Sequence, residues 1–210
     1  MIDLDLEPRR AELRRLGFDI VRDRPDELVG VRCKYHWDMA MRLTTVVRIR
    51  RVQHLSNPDV VGQQDALEQI GDHVDPSVLP RGFQQGRQLV DIWLADSAEQ
   101  SVIDYCGKTV GKGMGLAWHP VCVTPEGSTF APMPIWGLAL YAKTEHVMQR
   151  LGAMDGPADE PIAKVGLGLA LFVFYPTFFA LVLGTCGLGA LLPLGVWFFE
   201  KDKQPKLLDG

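Results

Sequence analysis

The chain has 210 residues with 22 basic and 26 acidic side chains, a net charge of −4, and no nucleic-acid partner is expected from so mild an acidic balance. Its four cysteines, Cys33, Cys106, Cys122 and Cys186, stand far apart, which suits reduced thiols in a cytosol and excludes a dense disulfide framework. The charge is uneven: residues 1–51 hold twelve Lys/Arg against nine Asp/Glu, and residues 52–151 hold six against eleven. A basic first third reads as a solvated face or as a surface for anionic headgroups.

The opening MIDLDLEPRRAELRRLG has no apolar core of signal-peptide length, so the domain that follows is expected to stay on the cytoplasmic side. A first helix is predicted from Glu7 or Pro8 to Leu16, stopped by Gly17. Phe18–Asp23 alternates apolar and polar residues as a strand does, Arg24-Pro25-Asp26-Glu27 is turn chemistry, and Leu28–Arg32 returns as a second strand. Leu43–Val52, rich in β-branched residues, predicts a third strand with Leu43, Thr45, Val47 and Ile49 on one face. Ser56 or Asn57 before Pro58 starts a helix expected to reach Asp72. Pro76–Gly86 reads as a loop and Gln88–Leu94 as a strand. Ser97 is the expected cap of a helix through Tyr105. Leu116–Val123 predicts a strand that turns at Thr124-Pro125-Glu126-Gly127 into a short partner, and Pro134 opens a last helix ended by Gly152.

Val165–Phe199 is 35 residues without one charged side chain. A single helix of that length would run about 50 Å, well beyond the roughly 30 Å of hydrocarbon that a span must cross. Two short helices turning near Gly184–Gly187 fit better, although the second, Leu188–Phe199, is short for a full span. Lys143, Arg150 and Lys164 precede the run and Lys201, Lys203 and Lys206 follow it. Cytoplasmic flanks carry the Lys/Arg excess, so both ends are expected in the cytoplasm and the number of crossings is expected to be even. The expected architecture is an α+β soluble domain, with a mixed and largely antiparallel sheet and flanking helices, followed by a C-terminal transmembrane helical hairpin. Its divisions are 1–151 for the domain, 152–161 for a linker, 162–200 for the membrane segment and 201–210 for a charged tail.

The first six predicted elements resemble, in their order, the αβββαβ core of the restriction-endonuclease-like superfamily. That resemblance implies an acid at the second strand and an acid-x-Lys pair on the third, which hold Mg²⁺ through hard oxygen ligands. Pro25-Asp26-Glu27 occupies the first position, but the third strand reads Val47-Arg48-Ile49-Arg50-Arg51 and no acid lies between Arg42 and Val52. The resemblance therefore implies a domain of this type that has lost catalysis.

Three further constellations bear on chemistry. Arg42, Arg48 and Arg50 are candidate anion-binding residues, with Arg48 and Arg50 on the strand face opposite Val47 and Ile49. Cys33-x-x-His36 and His119-x-x-Cys122 could together supply four tetrahedral ligands to Zn²⁺, yet residues three apart on a strand face opposite ways. Cys106-Gly107-Lys108-Thr109 resembles the end of a phosphate-binding loop but follows a helix and lacks the upstream glycine, so a mobile loop is expected there. Asp91 and Asp96, at the ends of a strand, read as satisfied or solvated acids. Trp37, Trp93, Trp118 and Trp136 read as core residues. With no catalytic residue assigned and no cofactor expected, the chain reads as a membrane-anchored accessory protein whose partners are the lipid bilayer and another membrane or cytosolic protein. The alternative is a membrane-associated enzyme with scattered residues, centred on the loop Pro80–Gly86 with Arg48 and Arg50.

Overall fold

The computed structural model describes residues 2–36, 41–75, 85–113, 116–132 and 138–154. The expected membrane hairpin, its linker beyond Met154 and the charged tail lie outside them. Among the described residues no helix is long and apolar enough to cross a membrane.

Helix α1 (Leu6–Arg15) begins at Asp5, whose carboxylate accepts from the Glu7 amide, and it ends with Arg14 and Arg15 in the last turn. An acid at its start and bases at its end complement the helix dipole. Strands β1 (Asp19–Asp23), β2 (Glu27–His36) and β3 (Met41–Leu55) form an antiparallel meander. Helices α2 (Asn57–Val60) and α3 (Gln64–Val74) then cross over to β4 (Gln85–Ala98), which lies parallel to β3. Helix α4 (Gln100–Lys108) makes a second crossover, through β5 (Gly111–Gly113), to β6 (Leu116–Thr124), parallel to β4. Strand β7 (Gly127–Phe130) pairs with β6, and α5 (Leu138–Gly152) follows. The sheet has seven strands in the order β1-β2-β3-β4-β6-β5, with β7 also on β6.

Both crossovers step the same way along the sheet. The right-handed rule for parallel connections then places their helices on one face. Val60, Leu67, Ile70, Val102 and Cys106 of α2–α4 pack there on Val46, Leu89, Trp93, Trp118 and Cys122. On the other face Leu13 of α1 and Val147, Met148 and Leu151 of α5 cover Val47, Ile49, Val90, Ile92, Val121 and Val123. Strand β4 is covered on both sides, which is why Leu89–Leu94 is apolar at every position but one. That exception is Asp91.

The α+β domain with a mixed sheet and flanking helices is as expected, and it differs from expectation in some of its parts. The helix expected from Asn57 to Asp72 is two helices, because Gly62 takes φ +83° between them. Ser97 caps nothing. It belongs to β4, where its hydroxyl meets His54 Nδ1 at 2.9 Å, and Glu99 occupies the cap of α4. The expected mobile loop at Cys106–Thr109 is instead the last turn of α4, with Cys106 fully buried, and Gly111–Gly113 pairs with β6.

Candidate functional site

Alternation along β3 turns Thr44, Val46, Arg48 and Arg50 toward the α3–α4 face, and the parallel register sets Arg48 beside Asp91 and Arg50 beside Trp93. Asp91 is fully buried. Arg48 grips it with a two-pronged fork, Nε to Oδ1 at 2.9 Å and Nη2 to Oδ2 at 2.6 Å. Both carboxylate oxygens serve as acceptors in that geometry, so the ionised form is the one that fits. Burial pushes the Asp91 carboxyl up from its ordinary range, and the Arg48 hydrogen bonds pull against it. Gln63, in the turn before α3, accepts a further bond from Arg48 Nη2 at 3.1 Å.

Arg50 lies over the Trp93 ring, with Cζ 4.9 Å from the centroid, and its Nη2 is 3.4 Å from Asp91 Oδ2. Desolvation lowers the Arg50 pKa from its ordinary value, with the Asp91 charge opposing. Glu27, directly across β2–β3 from Arg50, is held by Arg22 at 3.1 Å. Asp59 of α2 completes the surroundings from the exposed side, bound by its oxygen to the Ser56 amide at 3.0 Å.

The third predicted anion-binding residue stands apart. Arg42 reaches Asp75 at 3.1 Å and donates through Nε to the Cys33 sulfur, and Thr44 donates to the same carboxylate. The structure thus brings Arg48 and Arg50 together around Asp91 and leaves Arg42 at the other end of β3.

The four candidate zinc ligands divide by face. Cys33 meets Thr44 and Asp75 on the α3–α4 side, and Cys122 sits in the core there with Trp118. His36 is on the α1–α5 side, where Lys143 Nζ of α5 donates to its Nδ1 at 2.7 Å with both side chains buried. His119, one residue on from Trp118, points to that same side. Burial brings the His119 imidazole down to about 4 and pushes the Cys122 and Cys106 thiols up to about 11 and about 12. Among the described residues no group of three or more His, Cys, Asp or Glu is placed to hold a metal ion.

Asp26 immediately precedes β2 and Glu27 begins it, and β3 carries no acid. The αβββαβ order is present, with its second helix in two pieces. Of the loop Pro80–Gly86, residues 80–84 lie outside the described residues and Gln85 and Gly86 begin β4. Sequence reasoning missed Asp91 as the centre of this face. The available signal was an acid in the middle of an otherwise apolar strand, which demands a buried counter-ion. No family model and no curated protein matches the chain.

Proposed function

We propose that this chain is a membrane-anchored accessory protein whose α+β domain faces the cytoplasm and docks another membrane or cytosolic protein, without chemistry of its own. The observation that carries this reading is the uncharged run Val165–Phe199 with lysines and arginines on both flanks. The Arg48–Asp91 pair supports it, since the buried acid at the centre of this face is engaged through both oxygens by one guanidinium, as in a structural ion pair. Among the described residues the large apolar side chain that stands exposed is Val61, at 51 %. A partner docking on those residues would meet mainly polar side chains, as weaker and exchangeable interfaces do.

Topology tests the reading. Single cysteines placed in 204–210 and in 153–160 of a cysteine-free chain are challenged in intact cells with an impermeant thiol reagent. Protection of both until the membrane is permeabilised is the expected result. Labelling of the linker position from outside would place the domain on the wrong side of the bilayer and end the proposal.

A further inference from the structure

We draw no further inference here: the strongest candidate, the buried His36–Lys143 pair between β2 and α5 with His119, Thr144 and His146 buried on the same side of the sheet, carries nothing, because among the described residues it gathers no set of metal ligands and nothing in the structure shows what else it would bind.

Discussion

Asp91 is the residue on which the α3–α4 face depends, because its loss leaves Arg48, 6 % exposed, without a counter-ion in the core. Asp91→Ala is expected to destabilise the domain by about 3–5 kcal/mol, the cost of breaking a buried pair from one side. Replacing both partners, Arg48→Met with Asp91→Leu, is expected to recover most of that loss, since the desolvation of both ions disappears together. Urea titration of the three proteins, unaltered, single variant and double variant, followed by tryptophan fluorescence, measures both effects. A double variant as unstable as the single one would mean that the pair contributes net stability. The sequence shows half of this arrangement. Period-two alternation puts Arg48 and Arg50 opposite Val47 and Ile49, where they are found. It cannot show that Asp91, 43 residues away, lies beside Arg48, because that depends on the register of a parallel pair joined by a long crossover.

Elements were most legible where periodicity is strong and least where a single backbone conformation decides. The meander, β6 and the turn into β7 all follow from alternation and turn residues. Strands β2 and β4 run longer than predicted. Pairing with the 15-residue β3 keeps His36 and Ser97 extended against a local sequence that reads as loop or cap. The break between α2 and α3 rests on Gly62, whose φ of +83° only glycine adopts cheaply. A Cβ there would meet nothing within 4 Å, so Gly62→Ala isolates the backbone cost from any clash. The expected loss is about 1–2 kcal/mol. A shift in the thermal midpoint of about 2–8 °C would register it. A neutral Gly62→Ala would mean that the two helices can fuse, as the sequence pattern suggests, without disturbing Gln63 and its bond to Arg48.

At the scale of the whole domain, its first and last helices are fastened to one another. Arg9 of α1 is fully buried and donates to the carbonyls of Leu151 and Gly152, each at 2.9 Å, so a guanidinium caps the C-terminal end of α5. Glu12, one turn later, takes Arg150 of α5 at 2.7 Å and Arg15 of its own helix at 2.6 Å. The hydrogen bonds of Arg15 foremost, then of Arg150, hold the Glu12 carboxyl down to about 2. On the same side of the sheet burial holds the His119 imidazole down at about 4. Both groups tie the stability of the domain to pH on the acid side. A histidine whose folded pKa lies below its unfolded value of about 6.5 takes up its proton more readily when unfolded, so stability falls as pH drops from about 6.5 to 4. His119 accounts for a loss on the order of 3 kcal/mol across that window. A glutamate with a depressed folded pKa stabilises above its unfolded value of 4.5 and loses that contribution as pH falls from 4.5 toward 2. The Glu12 contribution is on the order of 1 kcal/mol, because solvent screens the outer side of its network. Urea midpoints measured from pH 7 to pH 3 are therefore expected to decline in two overlapping stages. Glu12→Gln, which cannot ionise, is expected to lower the midpoint at pH 7 and to flatten the lower stage alone. A profile that stays level between pH 6.5 and 4 would mean that His119 is as easily protonated in the fold as in water, and that the α1–α5 core admits solvent at its polar end.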